Sequence, residues 1–209
     1  MYVIDIKNRQ SEFAAMKILQ EKGLLRSDMI PLVEVIQEKL TYDDKIDPFT
    51  GEIVREEKIC KGGRIIHRAI KDMSSPHDVT LEKVVQLFPN RPVLVDYFRC
   101  DLNRYRYKPD KIPLVIQLNR DLGLYKTKVL GIAAYPNLIP VITVKRDIDA
   151  LKPGEVVALA GQLRADNPAQ QIAIRIDDLG AMKVRSNRFC GRTISFCMIS
   201  TNSRFARSQ

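Results

Sequence analysis

The chain has 209 residues, with 34 lysines and arginines against 25 acidic residues, a formal net charge of +9 and a hydrophobic fraction of 45%. This composition excludes a collagen, a low-complexity chain and a disordered acidic tail, and it indicates an ordinary globular protein. The four cysteines, at positions 60, 100, 190 and 197, form no C-x-x-C pair, so we expect reduced thiols and a cytoplasmic location. No stretch approaches the roughly 18 apolar residues that a membrane span needs, and we therefore expect no membrane partner.

Five short apolar runs predict β-strands that are buried on both faces. Three of these runs begin at or next to a proline, continue through branched residues, and reach a polar residue only toward their far end. The five predicted strands cover residues 3–6, 30–36, 92–97, 139–145 and 172–176. The stretches between them predict helices over residues 11–25, 80–88 and 110–134, the last broken near Gly123, with a further short helix from Gly154 or Glu155. This alternation of strands and helices predicts a parallel sheet with right-handed crossovers.

Two segments interrupt the alternation. Residues 38–75 contain the turn signal Asp47-Pro48-Phe49-Thr50-Gly51 between two polar stretches, which predicts an inserted hairpin followed by a helix over residues 63–73. Residues 181–209 hold six lysines and arginines, no acidic residue and no sustained period, so we expect an irregular basic tail. The predicted βα domain is therefore residues 1–180 with the insertion 38–75, and a net charge of only +3 belongs to it.

An open doubly wound sheet and a (β/α) barrel both accommodate five strands with helices between them. No G-x-G-x-x-G or G-x-x-x-x-G-K-[ST] motif follows any predicted strand, which removes the usual nucleotide-binding reason for the open sheet. The fold that we predict is therefore α/β, with parallel βα repeats in an incomplete TIM-barrel-like arrangement.

In parallel α/β folds the ligand lies at the carboxyl ends of the strands, and polar residues there are the candidate site. Glu34 and Asp96 could bind Mg²⁺ or act in general acid–base catalysis. The basic candidates at this rim, which could hold a phosphate or a carboxylate, are Lys7, Lys145 and Arg175. The alternative is that these charges neutralise one another as ion pairs that cap the strands.

A second candidate is the segment that leaves the third predicted strand, where arginines alternate with tyrosines. Arginines that contact phosphates beside aromatic faces are typical of single-stranded nucleic-acid binding. The predicted nucleic-acid or anion contacts are Arg99, Arg104, Tyr105, Arg106 and Tyr107, together with Arg9 after the first strand. In the alternative interpretation, the tyrosines pack on a neighbouring helix and the arginines are solvated.

The opening segment Met1-Tyr2-Val3-Ile4, the stretch Lys7-Asn8-Arg9-Gln10-Ser11-Glu12 and the run Pro31-Leu32-Val33-Glu34 carry a resemblance. Over about 36 residues the chain resembles the start of the "beta protein" family of phages and bacteria. The resemblance implies a (β/α) barrel, a chain truncated relative to the usual family length, and a role in phage–host conflict. The family-like polar positions are Lys7, Arg9, Gln10, Glu12, Glu34 and Asp96.

Three functional hypotheses follow. The first is a phage- or mobile-element-associated protein that binds nucleic acid or another anionic partner, such as a phosphate-bearing ligand, at the strand-end rim. The second is a metal-assisted enzyme acting on a phosphoester, with Glu34 and Asp96 as metal ligands and Lys145 or Arg175 as electrophile. The third is an inactive or partner-dependent fragment of a longer barrel, which could associate with a protein partner or with itself through an open sheet edge.

Overall fold

The computed structural model of the chain describes residues 2–100, 108–145, 151–165, 167–177 and 194–199, of which 145, 176–177 and 194–199 are described by their backbone alone. The chain divides into two compact units, one made of residues 1–37 and 83–209 and the other of residues 38–82. The second unit contains the segment 38–75 that the sequence indicates as an insertion. No helix in the described ranges has the length and apolar content needed to cross a membrane.

The strands and α-helices of the described residues are numbered in chain order. They are β1 (Tyr2–Lys7), α1 (Gln10–Glu21), β2 (Met29–Val35), β3 (Leu40–Asp44), β4 (Arg55–Ile59), β5 (Ile65–Ala69), β6 (Lys71–Asp78), α2 (Thr80–Leu87), β7 (Val93–Tyr97), α3 (Pro113–Arg120), α4 (Leu122–Gly131), β8 (Leu138–Lys145), α5 (Pro153–Ala165), β9 (Ile172–Asp177) and β10 (Ile194–Ile199).

The first unit is built on one sheet with the strand order β1-β2-β7-β8-β9-β10. The first five strands pair in parallel, and β10 pairs antiparallel with β9. All five strands predicted from the apolar runs are confirmed, as is their parallel arrangement. Within the described residues the sheet does not close into a barrel, because β1 and β10 each pair with a single strand.

Both faces of the central parallel strands β2, β7 and β8 are apolar up to their last residues, as the unbroken runs predict. One face carries a core formed by strand residues alone, namely Leu32, Leu94, Ile139, Val141 and Ala173. Helices lie on the sheet as well: α1 contacts β1, and α4 contacts β7 and β8. A smaller cluster beyond the strand ends consists of Ile36, Phe98, Cys100, Ile112 and Val115. A strand that is apolar on both faces therefore becomes polar only where it leaves the sheet, and its last residues are the ones free to carry charge.

The break predicted near Gly123 falls at Asp121, between α3 and α4. Asp121 is the residue that begins α4, because its Oδ1 accepts a hydrogen bond of 2.9 Å from the backbone N–H of Leu124. This is the usual way in which a short acidic side chain satisfies a free N–H group of a first helical turn. Gly123 itself lies inside that turn.

The second unit consists of antiparallel strands. β3 pairs with β6 and β4 pairs with β5, and the ladder begins at the pair Leu40–Asp78. The helix that the sequence predicts over residues 63–73 is wrong, because β5 and β6 occupy that segment. Gly62 and Gly63 have φ angles of 107° and 79°, a backbone conformation that closes a tight hairpin turn and that helices do not use.

Residues 181–209, expected to be irregular throughout, contain one strand. β10 runs from Ile194 to Ile199 and pairs with β9 in register from Ile194–Asp177 to Ile199–Ile172. Its sequence, Ile-Ser-Phe-Cys-Met-Ile, is rich in the branched and aromatic residues that favour strands. The segment does not alternate regularly between apolar and polar residues, so its sequence pattern does not predict this strand.

Candidate functional site

The register of the sheet brings three predicted site residues together. Lys7 is paired with Glu34, and Glu34 with Asp96, so the three residues stand side by side at the carboxyl ends of β1, β2 and β7. On the next two strands, Thr143 of β8 is paired with Arg175 of β9. We call these five residues the strand-end cluster. Four of them, Glu34, Asp96, Thr143 and Arg175, follow the core residues Leu32, Leu94, Val141 and Ala173 by two positions along their strands, so they extend the same face of the sheet.

Arg175 is the centre of this cluster. Its Nη1 lies 2.7 Å from Oε1 of Glu34 and 2.7 Å from Oδ2 of Asp96. All three side chains are almost completely buried, and none of them has more than 3% of its surface exposed to solvent. One guanidinium nitrogen thus bridges two carboxylates from two other strands. The Nε of Arg175 makes no hydrogen bond within the described residues.

The protonation states follow from this geometry. Burial by itself would raise the pKa of Glu34, but Arg175 and Lys7 act against it and hold that pKa below its ordinary value. Burial would likewise lower the pKa of Arg175, whereas the charges of Asp96 and Glu34 raise it. Both partners are therefore charged at neutral pH, and the cluster is a true ion-pair network.

Lys7 is the member of the cluster that reaches solvent. Its Nζ lies 3.1 Å from Oε2 of Glu34, and a quarter of the side chain is exposed. The same ammonium group lies 6.0 Å from the ring centre of Phe98, a cation–π contact. Asp5, two residues earlier on β1, has an exposed side chain, yet loss of hydration and the charge of Glu34 raise its pKa to about 6.

Asp96 is held in place by a second set of bonds. Its Oδ1 accepts a hydrogen bond of 2.8 Å from the Thr143 hydroxyl. The backbone N–H of Thr143 in turn donates to the Tyr125 hydroxyl at 3.1 Å. Tyr125, on α4, is fully buried, and burial followed by the charge of Asp96 raises its pKa above the ordinary value. The Arg99 guanidinium lies 5.1 Å from the Tyr125 ring centre.

A buried ion pair of this kind is not explained by stability alone. Removing charges from water costs several kcal/mol per ion, and apolar residues of similar size often serve as well. Buried charges of both signs at the ligand-binding end of a parallel sheet are therefore a candidate functional site. As a metal centre it is less suitable, because the Arg175 guanidinium already occupies the point where the two carboxylates converge. Among the described residues no group of three or more His, Cys, Asp or Glu side chains could hold a metal ion.

The other predicted site residues have different surroundings. Arg9 is exposed and faces Glu12 at 4.0 Å, outside the cluster. Arg99, predicted as an anion contact, is 1% exposed and lies against Tyr125, so no external polyanion reaches it. Lys145 ends β8 and is paired with Asp177 through its backbone. The remaining predicted contacts, Arg104, Tyr105, Arg106 and Tyr107, lie outside the described residues.

Sequence reasoning missed three residues that the structure adds. Thr143 and Tyr125 support Asp96, and Asn8 is buried just beyond β1. Thr143 was visible as a hydroxyl inside an otherwise apolar strand, a pattern that indicates a buried hydrogen bond. Nothing in the local sequence distinguishes Tyr125 from a core residue.

A separate open groove of about 590 Å³ lies between α1 and α2. Its lining includes Phe13, Lys17, Lys83, Leu87 and Pro89, and none of the predicted site residues belongs to it. The groove has no cluster of charged groups comparable with the strand ends, so the strand-end cluster is the stronger candidate.

Comparisons with known proteins leave the geometry as the guide to function. No protein-family model, no curated protein and no solved structure matches this chain.

Proposed function

We propose that the protein binds an anionic partner, a nucleic acid or another phosphate-bearing ligand, at the rim formed by the carboxyl ends of the parallel strands. The observation that supports this proposal is the placement of Lys7 and Arg9, whose side chains are 25% and 45% exposed, beside the buried strand-end cluster. The N-terminus of α1, which begins at Gln10, adds the positive end of a helix dipole at the same place.

The buried members of the cluster give this rim its character. Glu34 lies 3.1 Å from the Lys7 ammonium group, and the single positive charge of Arg175 is shared between Glu34 and Asp96. The ammonium group of Lys7 is therefore held in a fixed position by a buried carboxylate, and it loses little conformational freedom when it meets an anion. We expect Lys7 and Arg9 to contact the anion directly and Arg175 to act as a positioning residue.

Fluorescence anisotropy with labelled single-stranded DNA and RNA tests the proposal. We expect binding that weakens steeply with salt, because each phosphate that is neutralised releases counterions. The double variant Lys7→Gln/Arg9→Gln should bind more weakly, with a slope of log K against log salt that is shallower by about 1.4 for these single strands. The matched control Lys17→Gln/Lys22→Gln removes the same charge from exposed positions at and beyond α1 and should bind like the wild type. Equal weakening by both variants would contradict the proposal.

A metal-assisted phosphoester-processing enzyme is the second candidate. The observation in its favour is the convergence of Glu34 and Asp96 on one point, as two metal ligands require. Arg175 supplies the positive charge at that point, so we expect Mn²⁺ to leave the thermal midpoint of the wild type unchanged. A rise in that midpoint that Glu34→Gln abolishes would establish metal binding and favour the enzyme.

We infer a barrel-like ancestry for the sheet. Its parallel strands are neighbours in their chain order β1-β2-β7-β8-β9, as in a (β/α) barrel and unlike doubly wound sheets.

This order supports the resemblance to the phage and bacterial beta-protein family, and with it a cytoplasmic role in phage–host conflict. The test is the plating efficiency of phages on cells that express the chain or its Lys7→Gln/Arg9→Gln variant; unchanged plating in both would contradict the role.

The edge strand β1 supports the proposal of a partner. Among the described residues it pairs only with β2, and a free sheet edge presents unpaired backbone groups to another chain. Light scattering after size exclusion tests whether a second copy occupies this edge. We expect a dimer that Ile4→Pro converts to a monomer. A wild-type chain that is monomeric at all concentrations would contradict self-association through this edge.

A further inference from the structure

The two-stranded segment of the second unit, β4 and β5 with their connecting turn, has features that the strand-end site does not use. We call it the β4–β5 ribbon, residues 55–69. Five antiparallel pairs, from Arg55–Ala69 to Ile59–Ile65, form its ladder. The turn is closed by hydrogen bonds from the Cys60 N–H to the Arg64 carbonyl at 2.8 Å and from the Gly63 N–H to the Cys60 carbonyl at 3.0 Å.

Both faces of the ribbon are exposed. Every residue of β4 is exposed, and in β5 only Ile66 and Ala69 are half-buried. At its end, Ile59 and Ile65 face each other with 72% and 55% of their surface in solvent. An isolated two-stranded hairpin is only marginally stable. A ribbon that leaves a branched apolar pair in water is better explained by contact with a partner than by its contribution to the fold.

The charge of the ribbon's end indicates the kind of partner. From residue 58 to residue 71 the chain has five lysines and arginines and no acidic residue. Lys58, Lys61 and Arg64 are exposed, and none of them makes an ion pair within the described residues. By contrast, Lys71 at the far end of this segment is paired with Asp44 at 2.8 Å. The uncompensated charge is therefore concentrated at the turn.

We propose that the β4–β5 ribbon is a DNA-binding arm that enters the major groove of a B-form duplex. A two-stranded ribbon fits this groove, which is about 12 Å wide and about 8.5 Å deep. The five paired residues of each strand span about 14 Å, enough to reach the groove floor. Lys58, Lys61 and Arg64 contact the phosphates on either side.

The remaining features of the turn fit the same ligand. The space beside Gly62 and Gly63 is open, since a Cβ atom added at either residue would meet no other atom within 4 Å, and without side chains their backbone can approach the DNA closely. The Ile59–Ile65 pair meets the methyl groups of thymine, the apolar feature that the major groove offers. The deep and narrow major groove of A-form RNA does not admit the ribbon, and we therefore expect duplex DNA to bind better than duplex RNA. The ribbon shares no residue with the strand-end cluster, and its proposed role does not depend on the function proposed for that cluster.

The experiment is a titration of the full chain against a labelled 20-base-pair DNA duplex at several salt concentrations. The triple variant Lys58→Gln/Lys61→Gln/Arg64→Gln should bind at least tenfold more weakly, with a salt slope shallower by about 3. The control Lys17→Gln/Lys22→Gln/Lys83→Gln removes three charges from exposed helical or helix-flanking positions and should bind like the wild type. All substituted residues are exposed, so circular dichroism and thermal unfolding should be unchanged in every variant.

The outcomes separate this proposal from the one for the rim. Loss of duplex binding in the ribbon variant but not in Lys7→Gln/Arg9→Gln supports the arm, whatever the result with single strands. Duplex binding that survives the ribbon substitutions, or falls equally in the control, overturns it. Equal affinity for duplex RNA overturns the groove geometry, and binding only to an acidic protein such as polyglutamate would assign the ribbon to a protein partner and likewise overturn the proposal.

Discussion

Arg175 carries a full positive charge into a part of the sheet from which water is excluded, and two carboxylates on other strands compensate it. Its Nη1 bonds Glu34 and Asp96 at the same distance of 2.7 Å. The two N–H groups of a single guanidinium nitrogen thus serve acceptors on two different strands.

Asp5 gives this cluster a measurable pH dependence. Its pKa is raised from 3.8 to about 6, so the folded state binds its proton more tightly than the unfolded state does. Ionisation of Asp5 therefore destabilises the protein as pH rises through about 6, and Asp5→Asn removes this penalty. We expect Asp5→Asn to be more stable than the wild type at pH 8 by up to about 1 kcal/mol, a value reduced by the exposure of the side chain.

Urea unfolding at pH 8 and at pH 4 checks this expectation. The stability difference should shrink at pH 4, where the folded wild type already holds the Asp5 proton. Asp110→Asn, at an exposed carboxylate outside the strands, is the matched control and should change stability equally little at both pH values. A constant difference for Asp5→Asn would contradict the assignment.

At the scale of the elements, the ends of β1 and β2 are joined by one side chain. Asn8 is fully buried; its Nδ2 donates to the Gln37 carbonyl at 2.6 Å and its Oδ1 accepts from the Ile36 N–H at 3.0 Å. Its own N–H donates to the Glu34 carbonyl at 3.0 Å. This bridge continues the β1–β2 ladder past its last pair and fixes Lys7 and Glu34 beside each other.

Asn8→Ala should therefore destabilise the protein by about 1–3 kcal/mol, because it leaves the buried Ile36 N–H and the half-buried Gln37 carbonyl without their partner. The measurement is the free energy of unfolding in urea. Asn90→Ala, at an exposed asparagine, should change this free energy by less than about 0.5 kcal/mol. If the two variants unfold at the same urea concentration, the bridge does not stabilise the strand ends.

At the scale of the whole molecule, the chain combines a sheet unit that holds the buried core with a unit that holds almost none. No residue from 38 to 79 is buried. The two ends of this segment are neighbours, since Leu40 is paired with Asp78 and the Val79 N–H donates to the Lys39 carbonyl at 2.8 Å. The inserted unit leaves and rejoins the chain at one place.

Replacement of residues 41–77 by a two-residue Asn-Gly turn should therefore leave a protein that folds. Leu40 and Asp78 are already paired, and Asn-Gly is the turn that joins such strands. We expect cooperative thermal unfolding with a midpoint within a few degrees of the wild type, since the buried core is retained. Loss of the cooperative transition would mean that the inserted unit contributes to the core.

Much of this fold could be read from the sequence, because strands and helices have local signatures. Unbroken apolar runs predicted the five parallel strands, and their polar last residues predicted where Glu34 and Asp96 would lie. The helix expected over residues 63–73 is wrong because Gly62 and Gly63 adopt positive φ angles and close a hairpin turn, and the residues after them pair as strands. Arg99 was expected at the surface because a local pattern does not reveal whether an arginine leaves the sheet or turns back onto it.

The sequence by itself determined the parallel α/β sheet and the end of that sheet at which charges collect. Only the tertiary structure decided that Lys7, Glu34, Asp96, Thr143 and Arg175 form one network, and that Arg175 takes the position between the two carboxylates. The physical reason is that side-chain alternation within a strand is local, whereas pairing and register join residues far apart in the chain. Partners for a buried charge are chosen by register, and no period in the sequence records it.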